Sequence, residues 1–220
     1  MAIGCDEQVH VAGHIVRHSR EERNMEKIIP RWEYRVFTEY LGKIDGNIRS
    51  HECTRVLDSA EDYIICRSSG NNVKIRDGLL DIKQLENVND DALEQWLPVL
   101  KVGFPCPADD VAKVFSAFGL ARPEMARDEY TYDQFIAEVV GGDDGLAVVK
   151  VVKKRHGFMI REAIVEVAEV TFDGISLRTA AVEHIDPALV MELVRELGLD
   201  ALPNVNYIKA MKRAVGMDVA

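Results

Sequence analysis

The sequence predicts an α+β protein built on a closed or nearly closed antiparallel β-barrel, a tunnel with helices packed outside it. Segments that alternate polar and apolar residues occur in two blocks, and helical segments follow each block. An Asp77-Gly78 dipeptide between two alternating segments indicates a tight hairpin, which requires antiparallel pairing. Seven or eight strands are expected, and that number is enough to close a barrel.

Four strands are predicted in the first block. The segment from Arg31 to Phe37 places Arg31, Glu33 and Arg35 on one face, with Trp32 and Tyr34 on the other. The next three strands are expected over 61–67, 73–76 and 79–85, and the last two of these flank the Asp77-Gly78 turn.

A helical segment is predicted next, over 89–100, with apolar residues at helical spacing on one face and Pro98 interrupting it. A second helix is expected over 107–118, with Gly119 as its C-terminal stop. The segment 130–140 fits either a helix or a strand, and the glycines and aspartates of 141–145 indicate a turn.

Three more strands are predicted over 146–156, 158–170 and 175–184, joined by turns that contain glycine. A helix capped by Asp186, with Pro187 at its first position, should then run to Gly198. A final helix is expected to begin at Asn204 or Asn206 and to end near Val215.

Length and composition indicate one domain over 31–220, preceded by an N-terminal extension over 1–30. The chain has 220 residues, of which 47% are hydrophobic. No apolar segment approaches the roughly 20 residues of a membrane helix, and the N-terminus lacks the apolar core of a secretory signal. We therefore expect a cytoplasmic protein. Its four cysteines form no CxxC pair, which indicates idle thiols rather than a zinc site.

The net charge of −10 argues against generic nucleic-acid binding and requires any anion site to be local. Basic residues two apart, such as Lys74 with Arg76 and Lys153 with Arg155, project from one face of each strand. This pattern has two interpretations. The charged faces can be solvated, as in any half-exposed antiparallel sheet. Alternatively, they line a barrel lumen, where clustered cations require a polyanion.

Five short segments resemble the CYTH superfamily, the triphosphate tunnel metalloenzymes. They are Val73–Arg76, Leu80–Lys83, Val152–Arg155, Ile164–Val167 and Ala181–His184, in the order in which that family carries its basic and acidic strands. The resemblance spans roughly residues 31–212, and it implies a basic tunnel that binds triphosphates. Members include class IV adenylyl cyclases, thiamine triphosphatases and RNA triphosphatases.

The resemblance also implies a site. Glu33, Glu166 and Glu183 would hold Mg²⁺ or Mn²⁺, and the metal with the basic residues would neutralise phosphates during hydrolysis. The chain departs from the family where its first strand carries Arg31 and Arg35 instead of an acid and a lysine, and where Ile185 replaces a late acid. The implied phosphate contacts are Arg35, Lys74, Arg76, Lys83, Lys153, Arg155, Arg161 and Arg178.

Four functions remain open from the sequence: a metal-dependent triphosphatase, a phosphate-ligand binding protein without turnover, a class IV-type adenylyl cyclase, and a plain interaction domain. The expected partner is a small phosphorylated ligand, such as a triphosphate, nucleotide or polyphosphate. Binding to a membrane is not expected. A homodimer is one alternative for the oligomeric state. His10, His14 and His18 are four apart, but Gly13 interrupts them, which favours a solvated or partner-facing extension over a zinc site.

Overall fold

A computed structural model describes residues 29–217. Their strands are β1 Trp32–Thr38, β2 Cys53–Cys66, β3 Asn72–Arg76, β4 Leu79–Val88, β5 Glu94–Gly103, β6 Cys106–Pro107, β7 Glu129–Tyr130, β8 Leu146–Ile160, β9 Ala163–Phe172 and β10 Ile175–His184. Eight of them form a closed antiparallel barrel in the order β1-β10-β9-β8-β2-β3-β4-β5. The predicted fold class is confirmed. β6 and β7 form a separate two-stranded sheet.

The helices are α1 Lys43–Arg49, α2 Ala108–Phe118, α3 Tyr132–Gln134 with a π-helical turn over Phe135–Val140, α4 Pro187–Leu197 with a 3₁₀ turn over Leu199–Ala201, and α5 Tyr207–Ala214. α2, α4 and α5 lie in segments that were predicted to be helical, whereas α1 was not predicted. α2 ends at Gly119, which has a left-handed conformation. α4 begins at Asp186, whose side chain accepts a hydrogen bond from the Ala188 N–H.

The hairpin between β3 and β4 turns at the predicted dipeptide. Asp77 and Gly78 have φ angles of 53° and 72°, which is the left-handed pair that a two-residue hairpin loop requires. The turn fixes the register, so that Lys74 lies opposite Asp81 and Asn72 lies opposite Lys83. Because directly opposite residues share a face, the polar residues of both strands project to the same side.

The predicted helix over 89–100 is wrong, because residues 94–103 form strand β5. β5 pairs with β4 over most of its length and with β1 at Trp32 and Glu33. Two register irregularities in the β4–β5 ladder displace the period-two alternation, so the apolar residues of β5 fall at spacings that resemble a helix. Asn89 caps a turn instead, since its side chain accepts from the backbone N–H of Leu93.

Two apolar clusters pack helices against the outside of the barrel. α1 and α4 cover β1, β9 and β10, with Ile48 and Leu193 fully buried between them. α2 and the π-helical turn cover β2, β3 and β4, and Phe115, Phe135 and Ile82 belong to the buried cluster between them. Burial of each such side chain contributes about 1.5–3 kcal/mol. On β1, β3, β4 and β10 the apolar side therefore faces these helices, and the side that carries the charged site residues faces inward.

Helix α5 lies at one end of the barrel. The segment before it follows the edge of β1: the Val205 N–H donates to the Arg35 carbonyl at 2.7 Å, and the Arg35 N–H donates to Asn204 Oδ1 at 2.8 Å. Ile208 and Met211 then pack on the inward-facing side chains of β2, β8 and β9, including Tyr63. α5 therefore fills part of this end of the barrel, and a cavity lies at the end where β1 begins.

The segment 120–145 contains β7, α3 and the π-helical turn, so its ambiguous part begins in a short strand and continues as helical turns. β8 continues through Gly157 to Ile160, four residues beyond the predicted end, and turns at Arg161 and Glu162. Within residues 29–217 no helix is long and apolar enough to cross a membrane. The histidines of the N-terminal extension lie outside the described residues.

Candidate anion-binding site

The strand registers place most of the predicted site residues on the inner face of the barrel. Glu33 lies opposite Glu183, and Arg35 lies opposite Ala181, which is itself opposite Glu166. On the other wall Ser59 lies opposite Lys153, and Glu61 lies opposite Arg76. The charged faces of these strands are therefore lumenal, as the second interpretation of the sequence predicts.

A cavity of about 530 Å³ occupies the open end of the lumen. This volume lies in the range of roughly 300–1,000 Å³ that small-molecule sites have. Its apolar side includes Trp96, Pro98 and Leu100 of β5. Its charged side carries four cations and three carboxylates: Arg31, Arg76, Lys83, Lys101, Glu33, Asp81 and Glu183.

Two of the four cations in the cavity wall have no carboxylate partner. Lys83 and Lys101 make no ion pair within 4 Å with any carboxylate of residues 29–217, whereas Arg76 lies 3.6 Å from Glu61 and Arg31 lies 3.8 Å from Glu183. Lys83 is half-buried and Lys101 is exposed. Two ammonium groups that line one cavity without an ion pair raise its local potential and attract anions.

Glu61 binds three cations from two neighbouring strands. Its carboxylate is 3.0 Å from Lys153 Nζ, 3.3 Å from Lys74 Nζ and 3.6 Å from Arg76 Nη1. Burial alone would raise the pKa of Glu61, but the charges of Lys153 and Lys74 outweigh it and lower this pKa to about 2. Glu61 therefore remains ionised and holds the basic residues of β3 and β8 in place.

Lys153 lies among aromatic rings in the barrel interior. Its ammonium group donates to Tyr63 Oη at 2.9 Å and lies 4.0 Å from the centre of the Tyr207 ring, which α5 supplies. The side chain is 3% exposed. Burial lowers the pKa of Lys153 to about 7, although Glu61 opposes this change. The charge of Lys153 therefore changes near neutral pH.

Arg35 lies among three carboxylates. Its Nε is 2.5 Å from Glu33, its Nη1 is 3.2 Å from Glu166 and its Nη2 is 3.8 Å from Glu183. Burial opposes the guanidinium charge, but Glu33 and the other anionic neighbours raise the pKa of Arg35 well above its usual value. Burial and the charge of Glu33 raise the pKa of Glu183 to about 7. We call these four residues the Arg35 cluster.

Three buried polar atoms on the inner face have no hydrogen-bond partner within residues 29–217. They are Oδ1 of Asn72, Nε of Arg155 and the hydroxyl oxygen of Tyr207. The Arg155 side chain makes one contact, from Nη2 to Ser59 Oγ at 3.4 Å. Buried donors are ordinarily satisfied, so an unused guanidinium N–H inside a basic lumen indicates a place for an acceptor such as a phosphate oxygen.

The structure does not bring two predicted phosphate contacts to the lumen. Arg178 lies on the outer face of β10, where it forms an ion pair with Glu169 at 3.1 Å. Arg161 lies in the β8–β9 turn and pairs with Glu192 and Glu196 of α4. Alternation along a strand places Arg178 outside because its neighbour Thr179 faces inward and contacts Arg35.

Several lumenal residues were not predicted from the sequence. Glu61 was predicted only as part of a strand, and Glu94 was assigned to the incorrect helix. Glu94 is buried, and its carboxylate accepts hydrogen bonds from Asn206 Nδ2 and Lys209 Nζ. Tyr207 lies in a helix that sequence alone does not place inside a barrel. The alternation of Glu61, Tyr63 and Ile65 could have identified the inner face of β2, because Glu61 and Tyr63 lie opposite the basic residues Arg76 and Lys74 of β3.

The three predicted metal ligands come together, but they do not fit a divalent ion as they stand. Mg²⁺ requires oxygens at about 2.0–2.1 Å around one point, and the Arg35 guanidinium lies among the oxygens of Glu33, Glu166 and Glu183. Within residues 29–217 no group of three or more His, Cys, Asp or Glu side chains could hold a metal ion. The requirement for Mg²⁺ or Mn²⁺ therefore stays a prediction.

No protein-family model and no curated protein matches this sequence. Among solved structures, the chain is similar to the Hippeastrum protein HpAC1, a candidate adenylyl cyclase described as having a dominant triphosphatase activity. The identity is 9%, the TM-score is 0.48, and the alignment covers 86% of this chain and 97% of that chain.

Two further matches are PH1819 of Pyrococcus horikoshii OT3 and bh2851 of Bacillus halodurans, a candidate adenylate cyclase. The first is 13% identical with a TM-score of 0.44, covering 83% of this chain and 99% of that one. The second is 11% identical with a TM-score of 0.45, covering 83% and 98%. Because these identities are only 9–13%, the function proposed below is argued from the residues of this chain alone.

Proposed function

We propose that this protein binds a linear triphosphate, or a compound that carries one, in the open end of its barrel. The observation that carries the proposal is the convergence of four cations on one cavity, two of them without a carboxylate partner. The unused Nε of Arg155 on the inner face adds a second reason, because a buried guanidinium donor without an acceptor is costly. In a chain with a net charge of −10, four cations around one cavity favour the binding of an anion there.

Binding of tripolyphosphate, measured by thermal shift and calorimetry, tests the proposal. A ligand that binds only the folded state raises stability by mass action, by about 2.7 kcal/mol at a concentration of 100 Kd. Lys83→Gln should weaken binding about tenfold or more, because it removes a charge-assisted contact of about 1.5–3 kcal/mol. Lys83 has no carboxylate partner, so this substitution leaves no buried carboxylate unpaired.

The matched control is Lys154→Gln, which removes one lysine from the exposed outer face of β8. It should bind tripolyphosphate as tightly as the unaltered protein. Equal weakening by both substitutions would indicate a general charge effect and contradict a lumenal site. No stabilisation of the unaltered protein by tripolyphosphate would overturn the proposal.

Turnover separates the catalytic and non-catalytic forms of this proposal. Phosphate release from tripolyphosphate or ATP would assign a triphosphatase, and formation of cyclic AMP would assign a cyclase. Tight binding without either product would assign a phosphate-ligand binding protein. The homodimer considered from the sequence stays a prediction, which sedimentation of the purified protein tests.

A further inference from the structure

The Arg35 cluster contains more carboxylates than an apolar interior tolerates without a cation. Glu33, Glu166 and Glu183 project from β1, β9 and β10, and each has one oxygen within 4 Å of the guanidinium. The Arg35 side chain is 5% exposed. Carboxylates that converge in this way repel one another unless a cation lies between them. In this chain that cation is a side chain.

Other contacts hold the guanidinium in place. Nη1 of Arg35 also donates to Thr179 Oγ1 at 3.3 Å, and the guanidinium carbon lies 4.8 Å from the centre of the Tyr207 ring. The backbone of Arg35 is fixed by the segment before α5, through its hydrogen bonds with Asn204 and Val205. An arginine stays charged at every pH at which proteins fold, so it does not leave the cluster by losing a proton.

The second oxygen of Glu183 faces another guanidinium, that of Arg31 at 3.8 Å. A divalent ion bound to Glu183 would therefore lie close to two permanent positive charges, one on each side of the carboxylate. Arg31 and Arg35 are also the two positions of β1 at which the sequence departs from the pattern it resembles. Both departures place a guanidinium against the carboxylates.

We propose that Arg35 is the resident cation of this cluster and takes the place of a divalent metal, so that the lumen binds its triphosphate-type ligand without one. This inference rests on the proposed function for the identity of the ligand. The three carboxylates then orient Arg35 and hold its charge beside Glu33 and Glu183, which line the cavity.

Calorimetry with tripolyphosphate tests the inference in two buffers, one with EDTA and one with Mg²⁺ at the same ionic strength. We expect binding in EDTA that is as tight as with Mg²⁺, or tighter, because Mg²⁺ also sequesters free tripolyphosphate. Binding that requires Mg²⁺ would overturn the inference and leave the proposed function intact. Absence of binding in both buffers would overturn the proposed function instead.

Titration with Mn²⁺ alone, followed by electron paramagnetic resonance, decides the inference without any phosphate. Unaltered protein and Glu166→Gln should bind Mn²⁺ equally weakly. Arg35→Met should gain a site at least tenfold tighter, because it removes the guanidinium from the three carboxylates. Tight Mn²⁺ binding by the unaltered protein that Glu166→Gln removes would overturn the inference. The comparison of the unaltered protein with Glu166→Gln tests the inference even if Arg35→Met does not fold.

Discussion

The ammonium group of Lys153 lies deep in the barrel, between the Glu61 carboxylate and the rings of Tyr63 and Tyr207. Burial keeps its pKa near 7 when the lumen holds no anion. An anion bound nearby favours the charged form and raises this pKa. Binding above pH 7 must therefore take up a proton, which makes the affinity depend on pH.

We expect the affinity for tripolyphosphate to fall as the pH rises from 7 to 8.5, by up to about tenfold per unit. Lys153→Met should bind more weakly at pH 6.5 and should show a shallower pH dependence, since the titrating group is gone. Calorimetry at pH 6.5, 7.5 and 8.5 measures both. Lys154→Met, an outward lysine, is the control for protonation of the ligand itself. Parallel profiles for Lys153→Met and Lys154→Met would contradict the prediction.

Sequence alternation predicted which residues share a strand face, but not which charges meet. Lys74 and Arg76, or Lys153 and Arg155, are visible as pairs because their spacing of two is local. The partner that joins them, Glu61, is 13 residues from Lys74 and 92 residues from Lys153. Those contacts depend on the strand order of the closed barrel, which no local pattern contains.

Strand β5 and helix α5 show where prediction fails at the level of elements. The ladder between β4 and β5 has two register irregularities, so the apolar residues of β5 lose the period of two that identifies a strand. α5 was predicted as a helix correctly, with Asn206 as one of two possible caps. Its position at the end of the barrel follows from contacts with β1 and β5, which are distant in the chain.

Asn206 stabilises α5 in two ways, and we expect its loss to be costly. Its Oδ1 accepts from the Lys209 N–H as the helix cap, and its Nδ2 donates to both oxygens of buried Glu94 at 2.9 Å. Asn206→Ala should therefore lower the free energy of unfolding by about 2–4 kcal/mol, the sum of a cap and a hydrogen bond to a charged group. Urea denaturation measures the change.

Asp186→Ala is the control for a cap alone, because Asp186 is exposed and caps α4 through the Ala188 N–H. It should cost about 1 kcal/mol. Asn206→Ala should also weaken tripolyphosphate binding, since α5 carries Tyr207 into the lumen, whereas Asp186→Ala should not. Equal costs for the two substitutions would show that the contact with Glu94 contributes nothing.

The whole molecule combines a net charge of −10 with a lumen that collects cations. The order of strands and helices predicted the fold class, because hairpins and intervening helices restrict the topologies available, although barrel strand β5 was predicted as a helix. The position of α5 at one end of the barrel was not predicted. α5 packs on the inward-facing side chains of β2, β8 and β9, and Glu61 is buried among the basic residues of β3 and β8.

The buried charge of Glu61 should make the fold sensitive to acid. The pKa of Glu61 is about 2 in the folded state, against 4.5 for an unperturbed glutamate. A group with a lowered pKa stabilises the fold above its unfolded value, so this contribution is complete above pH 4.5 and is lost as the pH falls towards 2. Its size is about 3 kcal/mol at 1.36 kcal/mol per pKa unit.

Glu61→Gln should be less stable at pH 7 and should lack this part of the acid transition, because its side chain does not titrate. Denaturation at pH values from 2.5 to 7 measures both effects. Glu138→Gln, which removes an exposed ion pair with Arg127, should retain the unaltered profile, since water screens that pair. An acid transition in Glu61→Gln as steep as that of the unaltered protein would assign acid sensitivity to other carboxylates.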